Sequence, residues 1–350
     1  MNNNKFGIIS LIVTISILIG ALGMFYTLEH AQPIINKHEK EVTIDDKGIA
    51  DAVDKLYDAT VVVASSVGSG TGFVYKIDGN TAYVITNAHV IGKSTSATIQ
   101  FTDGSAQNVS VVGSDEYSDI AVLSTKKDNV ISVAEIGGTE AMRLGDTVFA
   151  IGAPLSVEYS WTVTRGILSG KDRLVEINNN WVISVLQTDA SINSGNSGGP
   201  LANANGEVIG VTNMKLIASG VEGIGFAIPI EDALYIADGL IKNGSIDRPL
   251  LGVETFNVNE KNLLDQFDIT LPESIKSGAV VANVREGSLA AEVGFRRGDV
   301  ITKVGEYEIT SSARLRFFLY RFKVGDKVKI TFIRDGNTQN IDVSLSQKAS

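Results

Sequence analysis

The sequence predicts a mainly β chain of two folded domains behind an apolar N-terminal segment. Three observations carry that prediction. Short β-type runs recur with turn signals between them up to about residue 230, a second and shorter set follows Pro249, and an uncharged apolar stretch extends from Phe6 to Tyr26. Many short strands at such spacing indicate barrels or sandwiches rather than a helical bundle, and 350 residues suit roughly two domains.

The first element is the apolar run. Its twenty-one residues, at about 1.5 Å each, give roughly 31 Å as a helix, which matches a bilayer's hydrocarbon core. Lys5 precedes it and Glu29 follows it, so the expectation is a transmembrane anchor over 1–28 with the N-terminus in the cytoplasm and the remainder exported, a single-pass protein of the cell membrane. A cleaved signal peptide, with Ala21-Leu22-Gly23 as its small-x-small site, is the alternative. The polar residues 29–46 read as a stalk.

Next, "GIADAVDKLYDATVVVASS" puts Ile49, Val53, Leu56 and Tyr57 on one helical face ahead of a β-branched run, predicting a short helix and then a strand. The runs "TGFVYKI", "TAYVIT", "SATIQF", "VSVVGS", "IAVLST", "TVFAIG", "WVISVLQT", "EVIGVTNMK" and "GIGFAIPI" predict the strands of a first domain over 47–243. A helix at 231–244, with Leu234, Ala237, Leu240 and Ile241 in helical spacing and Asn243-Gly244 at its end, closes that domain. The second domain, 248–346, is expected to carry strands near 250–256, 279–284, 299–304 and 327–333. It also has a short helix at "SLAAEVG" and a longer one at "SSARLRFFLYRF" whose preceding serines suit N-caps.

Composition narrows the chemistry. A net charge of −10 speaks against a nucleic-acid partner, since that affinity comes from lysine and arginine neutralising phosphates. The absence of cysteine removes disulfides and thiol catalysis. His30 and His38 lie near the N-terminus, which leaves His89 as the sole imidazole beyond residue 38, too few for a histidine zinc site. No metal or other cofactor is implied.

His89 follows a strand directly in "AYVITNAHVIG". Asp119 stands just before the apolar Ile-Ala-Val-Leu of "SDEYSDIAVLST", where a carboxylate leaves water and needs partners. Ser197 sits in "SINSGNSGGPL", an unbroken run of small residues around it followed by proline. Singly, each residue is more simply a turn or cap. Together, in the order His, Asp, Ser, they make a base, its orienter and a nucleophile. The glycines then acquire a purpose, because bare backbone lets amides converge on an oxyanion; Gly195, Asn196 and Ser197 are the expected donors.

"TNAHVI", "SDIAVL", "TDASINSGNSGGPL" and "GIGFAIPI", in that order, resemble the HtrA/Deg family of trypsin-like serine proteases, and the tail resembles that family's PDZ domain. The likeness runs from about Asp46 to Ser346. It implies a trypsin-like double β-barrel followed by an α+β PDZ domain, ATP-independent hydrolysis of unfolded or specific protein substrates, and a homotrimer. Asn196 rather than an acid precedes Ser197, so activation by a newly cut N-terminus is not expected. Asp189, within the "TDA" pattern, is expected to be structural. The resemblance further implies that Ser191, Asn213, Met214 and Lys215 border the substrate pocket or pair with substrate as a strand, with small aliphatic residues favoured before the cut bond. In the tail, the loop Leu250-Leu251-Gly252-Val253 and a helix wall bearing Leu315 and Leu319 are implied to receive peptide C-termini. A regulatory protease switched by a PDZ ligand and a catalytically silent peptide-binding scaffold are the other readings; the complete His, Asp, Ser set disfavours the scaffold.

Overall fold

A computed structural model describes residues 46–153, 161–177, 181–213 and 223–347. The expected anchor and stalk, together with Met214 and Lys215, lie outside the described residues. Among the described residues no helix is long and apolar enough to cross a membrane.

Helix α1 (Asp46–Tyr57) leads the chain and buries Ala52 and Leu56. Six strands then close a first barrel: β1 (Thr60–Ala64), β2 (Ser69–Asp78), β3 (Thr81–Thr86), β4 (Ser96–Gln100), β5 (Ala106–Asp115) and β6 (Ile120–Lys126), in spatial order β1-β2-β3-β6-β5-β4. A one-turn helix, α2 (Ala88–Ile91), interrupts it after β3. The second barrel is β7 (Thr147–Gly152), β8 (Thr162–Ile177), β9 (Trp181–Thr188), β10 (Pro200–Asn203), β11 (Val208–Thr212) and β12 (Gly225–Pro229), in order β10-β11-β12-β9-β8-β7. Closing each sheet on itself leaves no edge exposed. Each barrel has its own apolar interior, with Val63, Ile99 and Phe101 in the first and Leu168, Leu186 and Leu201 in the second. A further core joins them: Phe73, Ile85 and Val122 from the first barrel meet Phe149, Ile151 and Val211 from the second.

Helix α3 (Ile230–Asn243) follows β12 and seals that shared core with Ala233, Ile236, Ala237 and Leu240. It stops at Gly244, whose φ of 72° is the left-handed value expected of a C-capping glycine, with its N–H on the Leu240 carbonyl at 2.9 Å.

The second domain is one sheet of β13 (Val253–Asn257), β14 (Ala279–Val284), β15 (Val300–Val304), β16 (Tyr307–Glu308), β17 (Lys327–Arg334) and β18 (Asn337–Ser344). Its order is β13-β14-β15-β17-β18 with β16 on β15, so β13 is an edge. Helices α4 (Lys261–Gln266), α5 (Leu289–Glu292) and α6 (Ser312–Leu319) accompany it. The serine cap expected for α6 is present, with Ser311 Oγ accepting from Arg314 N–H at 3.2 Å, and Ser288 Oγ caps α5 in the same way by accepting from Ala291 N–H at 3.2 Å.

The two domains touch through side chains. Ala313 and Phe317 of α6 pack with Val182 and Leu174 of the β8–β9 hairpin. Arg248, at the entry to the second domain, reaches back to β5, where its two terminal nitrogens lie 2.5 and 2.7 Å from the two Asp115 carboxylate oxygens.

Candidate active site

His89 is placed by α2, which opens just after β3; its side chain is 30% exposed. Asp119 comes from the turn between β5 and β6 and is 2% exposed. The two meet at 2.7 Å, His89 Nδ1 to Asp119 Oδ2, while the His89 amide donates to Asp119 Oδ1 at 2.9 Å. A proton on Nδ1 satisfies this pair and leaves Nε2 as the acceptor.

Asp119 adopts φ 55°, a left-handed conformation that a residue with a side chain resists. Neighbours hold it there. The Asp119 carbonyl accepts from Asn87 Nδ2 at 2.8 Å and from Ala88 N–H at 3.2 Å. A third donor reaches the carboxylate from the other barrel: Asn213 Nδ2 lies 2.7 Å from Oδ2.

The Ser197 loop connects β9 to β10 and docks beside this corner. The Ser197 carbonyl accepts from Thr71 N–H of β2 at 2.9 Å. A methyl placed on Gly70 would lie 2.7 Å from Val90 and 2.9 Å from the Ser197 carbonyl, so glycine there lets the segment after His89 and the Ser197 loop close on each other. Gly198 has φ 84°, and any side chain on it would run into the Thr71 carbonyl and Thr86 hydroxyl. The small residues are therefore required by contact as well as by turn geometry. Ser197 itself is 4% exposed.

The expected oxyanion donors divide. The Asn196 amide donates within the turn to the Asn193 carbonyl at 3.0 Å, so it does not face a substrate. Gly195 has φ 103°, its carbonyl accepts from the Thr71 hydroxyl at 2.7 Å, and among the described residues its N–H donates to no backbone carbonyl. Ser191 is exposed, and its carbonyl accepts from Asn196 Nδ2 at 3.3 Å. The Asp189 carboxylate accepts from Ile167 N–H at 2.7 Å and so ties the strand after Gly166, a structural task. The Asn213 backbone N–H donates to the Phe226 carbonyl at 2.9 Å, so it is not turned toward an added strand. Asn213's side-chain contact with Asp119 was not read from the sequence.

In the second domain, Leu250 N–H donates to the Gln347 carbonyl at 2.9 Å and so closes the domain rather than turning to a ligand. Leu251, Leu315 and Leu319, at 2, 4 and 6% exposure, belong to one core cluster, so the expected apolar wall is interior, where burial of apolar area stabilises the domain. Gly252 has φ 82° and lies against Ser288, and its carbonyl accepts from Arg285 N–H. Val253 begins β13 opposite Val284. Among the described residues, the amides of Leu251 and Gly252 donate to no backbone carbonyl.

Between the domains, Asp115 is held below the usual carboxylate range: burial alone would raise it, but the Arg248 hydrogen bonds and charge and the Ser118 hydroxyl and amide outweigh that. The Arg248 guanidinium lies 4.9 Å from the Tyr117 ring centre and 5.2 Å from that of Tyr320, and the two rings meet edge-on at 4.8 Å. Burial pushes the Tyr117 hydroxyl well up. Among the described residues no cluster of side chains suits a metal ion.

Comparison with known proteins agrees with this architecture. A family described as "Trypsin-like peptidase domain" matches residues 70–211, and one described as "PDZ domain" matches 249–345. "Serine protease Do-like HtrA" of Lactococcus lactis is 41% identical over 290 residues, covering 80% of this chain and 71% of the relative. "Serine protease Do-like HtrB" of Bacillus subtilis is 40% identical over 288 residues, covering 79% and 62%. Among solved structures, a serine endoprotease from Yersinia pestis superposes with a TM-score of 0.66 at 29% identity, covering 86% of this chain and 98% of that one. "HtrA-type protease AlgW with decapeptide" gives 0.67 at 29%, covering 85% and 97%.

Proposed function

The chain belongs to the HtrA family of serine proteases, and from that premise we propose that it is a membrane-anchored, ATP-independent endopeptidase that cleaves unfolded or damaged extracytoplasmic proteins. It is a serine endopeptidase by its relatives and its trypsin-like domain. The observation that carries the catalytic assignment is the 2.7 Å His89–Asp119 pair, with Val90, the residue after His89, and the Ser197 carbonyl both closing on Gly70.

In this reading the steps are as follows. Ser197 Oγ attacks the scissile carbonyl carbon as His89 Nε2 takes its proton; Asp119, ionised and hydrogen-bonded to Nδ1–H, stabilises the imidazolium that forms. The Gly195 and Ser197 amides stabilise the oxyanion. The tetrahedral intermediate collapses to an acyl-enzyme as His89 gives its proton to the leaving amine. Water, deprotonated by the same nitrogen, then releases the second product. The PDZ domain binds C-terminal ends of substrates or regulators; a relative solved with a decapeptide supports peptide binding in this family. A homotrimer is proposed by family likeness.

The test is proteolysis of casein by the chain without its apolar N-terminal segment. Cleavage lost on Ser197→Ala and unaffected by ATP supports the reading; cleavage retained by that variant overturns it.

One observation favours a regulatory variant of this function. Asp115 receives Arg248 from the second domain and Ser118 from the turn that ends at Asp119, so a displaced PDZ domain would tug on the catalytic turn. Peptides ending in a free carboxylate would then change casein cleavage at saturating substrate, and an unchanged rate would leave the quality-control reading alone.

A further inference from the structure

Thr71 lies in β2 of the first barrel, is 1% exposed, and has every polar group it carries bonded. We propose that Thr71 is a positioning residue for catalysis: its hydroxyl, reaching into the Ser197 loop of the second barrel, sets the direction of the Gly195 amide that meets the oxyanion. The proposal rests on the Ser197, His89 and Gly195 assignment above.

Gly195 needs an outside constraint. It sits at φ 103°, and a residue without a side chain has more backbone orientations open to it than any other, so the aim of its N–H must come from its neighbours. The peptide unit that follows it is gripped at both poles. Its N–H, that of Asn196, donates to the Asn193 carbonyl at 3.0 Å within the loop, and its C=O, that of Gly195, accepts from Thr71 Oγ1 at 2.7 Å. A unit held in this way cannot turn over, and the Gly195 amide beyond it keeps its direction.

The hydroxyl proton is itself directed. Thr71 Oγ1 also accepts from Ala153 N–H, just after β7, at 3.0 Å; a backbone N–H can only donate and a carbonyl can only accept. The proton therefore points to Gly195, and the bond from Ala153 polarises the one made there. Other parts of Thr71 clamp the same loop. Its N–H donates to the Ser197 carbonyl at 2.9 Å, its carbonyl accepts from Thr86 Oγ1 at 2.8 Å, and a methyl built on Gly199 would lie 3.0 Å from its Cγ2. The two backbone bonds are open to any residue at 71. Only the bridge from Ala153 to Gly195 requires a hydroxyl, and valine has threonine's shape without it.

That difference supplies the test. In the full chain, kcat and KM are measured on a peptide anilide, and Ki on a trifluoromethyl ketone of the same peptide and on the corresponding alcohol. The ketone takes Ser197 Oγ at its carbonyl carbon and presents an oxyanion, which the alcohol does not. Thr71→Val is expected to lower kcat by about 10- to 100-fold, the scale of an oxyanion donor misplaced rather than deleted, and to weaken the ketone by a similar factor. KM and the alcohol's Ki should stay within about twofold, since neither draws on the oxyanion donors, whereas a general loosening of the site would move both. Thr71→Ser keeps the hydroxyl and should remain within about threefold of wild type in kcat. The proposal is overturned by a Thr71→Val kcat within about twofold of wild type, by an unchanged ketone Ki, or by a Thr71→Ser variant as slow as Thr71→Val. If Thr71→Val does not fold, Thr71→Cys, which differs from Thr71→Ser only in offering a weak S–H donor, is judged by the same criteria. Ser197→Ala, measured alongside, should lose both turnover and ketone affinity, so failure of the catalytic assignment is read separately from failure at Thr71.

Discussion

The His89–Asp119 corner and the β13 edge are built on opposite terms. In the corner, each oxygen of a 2%-exposed carboxylate is held by a named donor, and the strained backbone beneath it is pinned by Asn87 and Ala88. Along the edge, the proposed peptide binding would depend on groups that, among the described residues, have no backbone partner: the outer side of a strand with one neighbour, and the amides of Leu251 and Gly252. A saturated site is rigid and intolerant, which suits chemistry that loses rate with small misplacements. An unsaturated one can accept many chains through their backbones.

The corner should therefore break in large steps. Ser197→Ala should leave the fold intact, since it removes one oxygen from a loop held by backbone bonds, and should lower kcat by up to roughly a million-fold, because members of such a unit do not act additively. The check is casein cleavage set beside an unchanged melting temperature. Asp119→Asn is expected to lower kcat by about 10⁴-fold. Its amide places a donor where His89 and Asn213 already donate, so the imidazole loses the acceptor that sets its tautomer. Kinetics from pH 6 to 9 would show the loss easing as base becomes available from solvent.

The two regions also differed in how legibly the sequence described them. His89, Asp119 and Ser197 could be proposed because their side-chain chemistry is distinctive and they occur in quotable motifs. Asn213 was read as a strand residue. Its bond spans 94 positions, and nothing local distinguishes an asparagine that meets a carboxylate from one that meets water. The Arg248–Asp115 pair, 133 positions apart, was invisible for the same reason. Among the elements, β8 was missed although it is 16 residues long: Gly166, Gly170 and the pair Lys171-Asp172 break its alternation, and its pairing with β9 shifts register at Leu168/Gly170 and Gly170/Arg173. Strand β10 begins with proline and has four residues, and β18 is a mostly exposed polar strand at the far edge of its sheet. Each lacks the apolar period that marks a half-buried strand. The helices α1, α3 and α6 were legible from their faces and caps.

Between corner and edge stands the Arg248 junction, and it sharpens the comparison with an intermediate effect. Arg248→Ala leaves the Asp115 carboxylate, 12% exposed at its side chain, with only Ser118, and removes a cation from between Tyr117 and Tyr320. Loss of one member of a buried pair is expected to destabilise by about 3 kcal/mol, read by urea unfolding. The pH dependence has a definite sign. Asp115 is depressed in the folded chain, so the stability it contributes is present above the unfolded carboxyl's ordinary value of about 4 and is lost as pH falls below it. The wild-type advantage over Arg248→Ala should thus be steady from pH 5 to 8 and shrink below about pH 4. An advantage that instead vanished between pH 6 and 8 would assign the stabilisation to some other group.

The smallest effect belongs to the edge, where recognition is divided among weak bonds. A peptide added to β13 would extend the sheet through main-chain pairs, and its terminal carboxylate would meet the amides of Leu251 and Gly252. Its terminal side chain meets resistance. Leu251, Leu315 and Leu319 are already buried in the domain's core, so a pocket must be opened at the expense of contacts there. Affinity in the micromolar range follows, with main-chain bonds supplying most of it. A free carboxylate offers charge-assisted bonds to two amides and a C-terminal amide does not, a difference of about 1.5 kcal/mol or roughly tenfold in Kd. Titrating the chain without its apolar N-terminal segment with one hydrophobic-ended peptide in both forms measures that ratio. Equal affinities would mean that the carboxylate is not read at Leu251 and Gly252. Tight binding, well below micromolar, would mean that the leucine cluster opens more readily than its packing indicates.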